Sequence, residues 1–282
     1  MLGVDLVPLL SKEHTVEGVD VGDFDITDSA ATLQAVDSSR AEAVIHCAAF
    51  TDVERAETEQ ETARAVNATG SRNIAAACRE SGARLYLIST DFVFDGGKGS
   101  PYVESDQPNP LSEYGRGKLE GENLARQELG ELLSVVRTAW LYGAAGENFL
   151  TKLLQFAARG NPVRVVDDQC GSPTWTVALA ECLARMLKER AASPIYHAAG
   201  AGSCSRFEMA VEWFRLLGLN DVEVMPVSSS VFPSMVSRPD DSSLVGAVLK
   251  REGIEGMQPW RESLARFAKA DGKEKAKQIL GG

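Results

Sequence analysis

Four short apolar runs constrain this chain most: AEAVIHCAA from Ala41, ARLYLIST from Ala83, LLSVVRTAW from Leu132 and IYHAAG from Ile195. Each has the length and apolar content of a buried strand, and the stretches between them carry helical patterning. ETARAVNATGSRNIAAACRESG from Glu61 and EYGRGKLEGENLARQEL from Glu113 read as helices with turn-forming residues at their ends. NFLTKLLQFAARGNP, closed by Gly160, Asn161 and Pro162, and TVALAECLARMLKER are two more, both amphipathic. Strands alternating with helices predict a mainly parallel sheet covered by helices, an α/β fold. From about Gly200 the pattern loosens into helix, short strand and Pro/Ser-rich loop, as expected of a smaller appended lobe. The charged, Lys-rich tail after Phe267 reads as a solvated or frayed helix end.

With 282 residues, 44% of them hydrophobic, the chain can bury one large α/β core and a second, smaller one. Its net charge of -11 argues against general binding to nucleic acid or anionic membranes, which rely on cationic patches. Cys47, Cys78, Cys170, Cys182 and Cys204 show no CxxC spacing and sit largely in apolar runs, so reduced thiols in a cytoplasmic protein are the expectation. No run approaches the roughly 20 apolar residues of a membrane span. His14, His46 and His197 are far apart in sequence, which gives no support to a histidine-built metal site.

The chemistry centres on Tyr114 and Lys118 in YGRGKLEGE. Residues four apart share a helix face, so phenol and ammonium can enter one cleft, where the cation would favour the phenolate and make Tyr114 a proton donor. The surrounding pieces are FDIT from Phe24, HCAAFTDVERAE from His46, the VNATG run from Val66, ISTDFVFDG from Ile88, NPLSEYGRGKLEGE from Asn109, RTAWLYG from Arg137, VVDDQCGSPT from Val165 and SRPDDSSL from Ser237. In this order they resemble extended short-chain dehydrogenases, and most closely the dTDP-4-dehydrorhamnose reductase family, over nearly the whole chain.

That resemblance implies a Rossmann-like, doubly wound parallel sheet. Its dinucleotide-binding domain would cover residues 1–145 completed by 163–199, with a C-terminal α/β substrate lobe from 146–162 and 200–282. It implies a catalytic set of Thr90, Tyr114 and Lys118. Tyr114 would protonate the developing alkoxide, Lys118 would also hold the nicotinamide ribose, and Thr90 would hold the substrate oxygen. Strand alternation turns Ser89 to the opposite face from Thr90. Ala48, Ala49 and Thr51 would lie beside an NADPH or NADH cofactor, with Asp25 and Ile26 at its adenine; a helix N-cap ahead of SAATLQAV is the other reading of that pair. Asp20 ends an apparent second strand, where an acid accepts from adenosine ribose hydroxyls and disfavours a 2′-phosphate. His46 reads as a core or cofactor-side residue, and Phe92 as a packing residue where relatives more often carry tyrosine.

Trp140 resembles an apolar wall against the sugar. Asn148, Gln169, Ser172 and Thr174 resemble other pocket positions, and Arg238 is placed to fork onto the substrate's diphosphate. Asp167, Asp168, Asp240 and Asp241 read as solvated turn acids, with Mg2+ beside a phosphate as the alternative.

The opening departs from the pattern. MLGVDLVPLL reads as the end of a glycine-rich phosphate turn, with Gly3 its last glycine; the expected preceding strand and earlier glycines belong upstream of Met1. Those glycines allow backbone N–H groups close to the pyrophosphate, so cofactor affinity should suffer without them.

The expected reaction is reduction of the C4 ketone of dTDP-4-dehydro-L-rhamnose, in a protein that could form an isologous dimer. Another nucleotide-sugar reductase or epimerase would use the same triad. The resemblance also extends to the beta subunit of methionine adenosyltransferase, a non-catalytic regulatory protein. The complete Thr90, Tyr114 and Lys118 set argues for the enzyme.

Overall fold

The computed structural model describes residues 1–160 and 162–281; Asn161, expected to help end a helix, and Gly282 lie outside them. All four apolar runs become strands: β1 (Ala43–His46), β2 (Arg84–Thr90), β3 (Leu133–Thr138) and β4 (Ile195–His197). They form one parallel sheet in the order β1-β2-β3-β4, with Ala43 opposite Arg84, Leu85 opposite Leu133 and Val135 opposite Ile195. Helical crossovers join the strands, and burial of β2 and β3 on both faces explains their apolar runs.

One face is covered by α1 (Leu2–Leu10), whose Leu2, Leu6 and Leu10 pack with Tyr86, Ile88, Val136 and the helix over Thr176–Lys188. On the other face lie α2 (Ser29–Ser39), α3 (Ser71–Ser81) and α4 (Glu113–Leu129), packed around Leu85, Leu87, Leu133 and Val135. The segment expected as one helix from Glu61 is broken. A π-helical turn over Ala65–Gly70 separates Gln60–Arg64 from α3.

The second core surrounds α5 (Phe149–Ala157), the buried ends of α6 (Thr176–Lys188), α7 (Arg206–Leu217) and α8 (Trp260–Phe267), with Trp213, Phe267, Tyr142 and Trp175 at its centre. Of residues 163–199, expected to complete the dinucleotide-binding domain, α6 packs on the main sheet and β4 is its last strand. Val163–Val166 instead pairs with Val224–Val227 in a separate parallel ribbon. The tail also differs from its reading as a frayed end. Lys273–Leu280 is a helix, α9, whose Ala276, Ile279 and Leu280 dock on the second core, and Gly272 lies where a Cβ would come 2.4 Å from Trp213.

The expected strand ending at Asp20 is not formed. Among the described residues no strand precedes β1, which is an edge strand, and residues 15–20 have no neighbour to pair with. Asp20 sits in an exposed turn, accepting from the Val21 amide at 2.8 Å.

Candidate active site

The site forms where β2 ends. Thr90 is the last residue of that strand and Ser89 faces the other way, as strand alternation requires. Ser89 donates to Glu122 at 2.5 Å, inside the fold. Thr90 Oγ1 donates to Asp91 Oδ1 at 3.0 Å and accepts from the Phe92 amide at 3.2 Å.

Helix α4 brings Tyr114 and Lys118 to this point because its glycines allow close approach. A Cβ on Gly115 would sit 2.2 Å from the Phe92 carbonyl oxygen, and one on Gly121 would sit 2.2 Å from that of Asn67. Ser112 caps the helix through the Gly115 amide at 3.1 Å. Tyr114 is half-buried and meets Phe92 edge-on, ring centres 5.6 Å apart, so Phe92 packs as expected.

Burial pushes the Tyr114 phenol up to about 12; the Thr90 hydroxyl pulls it down and the charge of Asp91 raises it. Lys118 is buried and donates to the Ile88 carbonyl at 2.8 Å. Burial brings its ammonium down to about 8, opposed by the negative charge of Glu122. Glu122 is held by Arg137 in a two-pronged pair, 3.0 and 2.6 Å, with both side chains almost fully buried. Tyr114, Lys118 and Glu122 thus form an i, i+4, i+8 line along α4.

His46 is buried beside Lys118, and burial with that cation drives its imidazole down to about 3, so it stays neutral. The loop after β1 leaves Ala48 and Thr51 exposed and Ala49 half-buried. Asn67 of the VNATG run pins this loop by accepting from the Phe50 amide at 2.8 Å and donating to the Phe50 carbonyl at 3.0 Å. The start of α1 faces the same end of the sheet, close enough for the terminal amine to influence the Cys47 thiol. The Cβ direction at Gly3 meets no atom within 4 Å. Asp25 caps its own turn through Thr27, at 2.8 Å to the amide and to the hydroxyl, whereas Asp28 caps α2. Ile26 packs against Gly70 and gives its carbonyl to Asn73 at 2.9 Å.

Across the cleft, Phe92, Trp140, Gln169, Arg206, Arg238, Pro239 and Ser242 line a small cavity. Trp140 has a left-handed backbone, φ 45°, an uncommon conformation for a bulky residue. Its indole lies against Gly171, where a Cβ would come 2.4 Å from Cε2. Arg206 stacks over the indole ring at 3.5 Å. Arg238 pairs with Glu54 at 2.8 Å and bonds Ser234 at 2.9 Å.

The remaining expected pocket residues serve the fold. Asn148 caps α5 and donates to the Gly143 carbonyl at 2.9 Å, which engages both ends of its amide. Ser172 ties Gly202 and Leu244, and Thr174 ties Ser172 and Gly200. The carboxylates of Asp167, Asp168 and Asp241 bond the hydroxyls of Ser205, Ser228 and Ser243, and among the described residues no group of three or more His, Cys, Asp or Glu side chains converges on a metal position. No helix among them is long and apolar enough to cross a membrane.

Asp91, Arg206, Glu122 and Asn67 are the parts of the site that residue-by-residue reading missed. Glu122 was findable, since it repeats the spacing that joins Tyr114 to Lys118. Arg206 carries no local signal, because only the packing of α7 on Trp140 brings it there.

Comparison with known proteins matches this arrangement along the chain. The family described as RmlD substrate binding domain matches residues 1–272. A dTDP-4-dehydrorhamnose reductase of Streptomyces griseus is 42% identical over 94% of this chain and 88% of its own length. A dTDP-4-keto-6-deoxy-D-glucose reductase of Streptomyces niveus is 38% identical over 94% of this chain and 92% of its own. The crystal structure of a Bacillus anthracis dTDP-4-dehydrorhamnose reductase in complex with NADP superposes with a TM-score of 0.85 at 35% identity, covering 93% of this chain and 94% of that one. With Thr90, Tyr114 and Lys118 at the end of β2, a Rossmann-like parallel sheet and a match over almost its full length, this chain belongs to the dTDP-4-dehydrorhamnose reductase family.

Proposed function

We propose that the protein reduces the C4 ketone of dTDP-4-dehydro-L-rhamnose to give dTDP-L-rhamnose. The observation that carries this reading is the convergence of Thr90, Tyr114 and Lys118 at the end of β2, beside Phe92, which packs on Tyr114 and lines a cavity with Trp140, Arg206 and Arg238. A nicotinamide cofactor would supply the hydride. The first turn of α1, Ala48, Ala49 and Lys118 fit it: they lie at one end of the sheet, with small side chains beside β1 and a buried ammonium at β2.

The chain's own groups then handle the oxygen. Tyr114 gives its phenolic proton to the developing alkoxide, so negative charge does not accumulate there. Thr90 stands beside the phenol and fixes where that oxygen can lie. Arg206 and Arg238 put two guanidinium groups at the cavity, suited to a diphosphate. NADPH is our first choice of cofactor, because a relative with the same fold was crystallised with NADP and Asp20 stands in an exposed turn rather than at a strand end against a ribose.

Oxidation of NADPH, followed in the presence of dTDP-4-dehydro-L-rhamnose, tests the reading. Tyr114→Phe should lower turnover by about 10²- to 10⁴-fold, the usual worth of a positioned general acid, while cofactor affinity measured by nicotinamide fluorescence stays unchanged. Equal turnover in the two proteins would sink the mechanism. The Streptomyces niveus relative favours one specific second reading, reduction of another dTDP-4-keto-6-deoxy sugar, and product analysis with several such sugars separates the two.

A further inference from the structure

The cavity beside Phe92 has a volume of about 10 Å³, room for a single water. Sites that take a small-molecule ligand run to roughly 300–1,000 Å³, so a nucleotide sugar enters only if a wall of this cavity moves. Two of the walls are anchored. Trp140 lies against Gly171, and Ser242 donates to the buried Asp91 carboxylate at 2.5 Å. Arg238 and Pro239 form another wall, and they end a segment that leaves the strand Val224–Val227 at Ser228.

That segment crosses from one lobe to the other. At its start Asp168 accepts the Ser228 hydroxyl at 2.7 Å and the Ser229 amide at 2.9 Å. At its end Pro239 packs against Gly96, where an added Cβ would come 2.7 Å from the proline's own. In between, Val231, Phe232 and Met235 are exposed, Val236 is buried, and the Arg164 guanidinium lies 5.8 Å from the Phe232 ring centre. Among the described residues, every hydrogen bond that joins residues 230–238 to a group outside 228–238 ends on the Glu54 carboxylate. Ser234 Oγ and Arg238 Nη2 each donate to Glu54 Oε1 at 2.8 Å, and Arg238 Nη1 donates to Ser234 Oγ at 2.9 Å. Glu54 stands on the main-sheet side, in the short helix Val53–Thr58 that follows the loop after β1. Its side chain is 47% exposed and that of Arg238 29%, so this pair, unlike the sealed pair of Glu122 and Arg137, is open to exchange of partners.

We propose that Glu54 is a latch: its carboxylate holds Arg238, and with it the segment Ser229–Arg238, across the two lobes, and a diphosphate entering the cleft releases the segment by replacing that carboxylate on the guanidinium. The inference rests on the reading that this cavity takes the diphosphate of a nucleotide sugar. A guanidinium grips carboxylate and phosphate through the same planar fork of N–H groups, so Arg238 serves one or the other. The free protein is then closed by its own acid, and the ligand binds in competition with it.

Calorimetric titration of the full chain with dTDP, without cofactor, tests this in a double-mutant cycle of Glu54→Ala and Arg238→Gln. Glu54→Ala should bind dTDP about two- to fivefold more tightly than the unaltered protein, the fold-change that a partly exposed ion pair is worth, with its melting temperature held. Arg238→Gln should bind more weakly, and in that background Glu54→Ala should change nothing. Equal tightening in both backgrounds would make Glu54 a distant negative charge, and unchanged or weaker binding by Glu54→Ala would mean that it is not displaced; either result overturns the proposal. Hydrogen exchange reads the latch without ligand: amides of residues 230–238 should exchange faster in Glu54→Ala than in the unaltered protein, and identical rates also overturn it. Failure of the unaltered protein to bind dTDP would strike at the nucleotide-sugar reading and take the latch with it, whereas binding without the expected cycle removes the latch alone.

Discussion

Glu122→Gln is the sharpest probe of how the site is held. Glu122 and Arg137 are each no more than 4% exposed in their side chains, and Glu122 takes two prongs of the guanidinium, 3.0 and 2.6 Å, plus the Ser89 hydroxyl at 2.5 Å. The substitution keeps shape but leaves the Arg137 charge buried without a counter-charge, for which the cost is about 3–5 kcal/mol. For a chain of this size that corresponds to a fall in melting temperature of roughly 6–20 °C, at about 2–4 °C per kcal/mol. Urea denaturation with a common slope for both proteins measures the loss directly. A double change, Glu122→Leu with Arg137→Met, removes both charges and should recover most of it, because desolvation roughly cancels attraction in such pairs. The single substitution should also leave Lys118 easier to deprotonate, since Glu122 is the charge that opposes its burial. A loss below about 1 kcal/mol, the range of exposed pairs, would refute the reasoning, as would a double variant less stable than the single one.

Two further outcomes follow from the same helix. Gly121→Ala places a Cβ 2.2 Å from the Asn67 carbonyl oxygen, so α4 must move off the π-helical turn; we expect about 1–3 kcal/mol of lost stability by denaturation, and unchanged stability would contradict the packing. Lys118, lowered by burial to about 8, carries its charge below that pH and loses it above. NADPH affinity should therefore weaken as pH rises through about 8, and Lys118→Arg, whose charge does not titrate there, should remove that limb; an affinity flat from pH 6.5 to 9.5 in the unaltered protein would count against Lys118 as the ribose-side cation.

The sheet was legible because its central strands, β2 and β3, are buried on both faces and so write their location as apolar runs, as in ARLYLIST and LLSVVRTAW. The segment around Asp20 misled for the opposite reason. A strand exists only through its neighbour's hydrogen bonds, and Val16 to Asp20 have the composition of a strand but no partner beside β1. The tail misled because its many lysines hide a thin apolar line, Ala276, Ile279 and Leu280, that becomes visible only against the aromatic core it covers.

At the site, spacing along one helix gave Tyr114 and Lys118, and the same arithmetic one turn on gives Glu122. Asp91 and Arg206 follow a different logic. Asp91 sits in the 3-10 turn after β2 and Arg206 at the start of α7, more than a hundred residues apart, and the Arg206 charge reaches the Asp91 carboxyl only through the packing of the second lobe on the end of β2. Ser242 from that lobe bonds the Asp91 carboxylate at 2.5 Å, so the carboxylate that accepts the Thr90 hydroxyl is held in place by the other half of the cleft. Tyr114 and Lys118 are therefore written locally, one helical turn apart, whereas Asp91, Ser242 and Arg206 meet only through the fold as a whole.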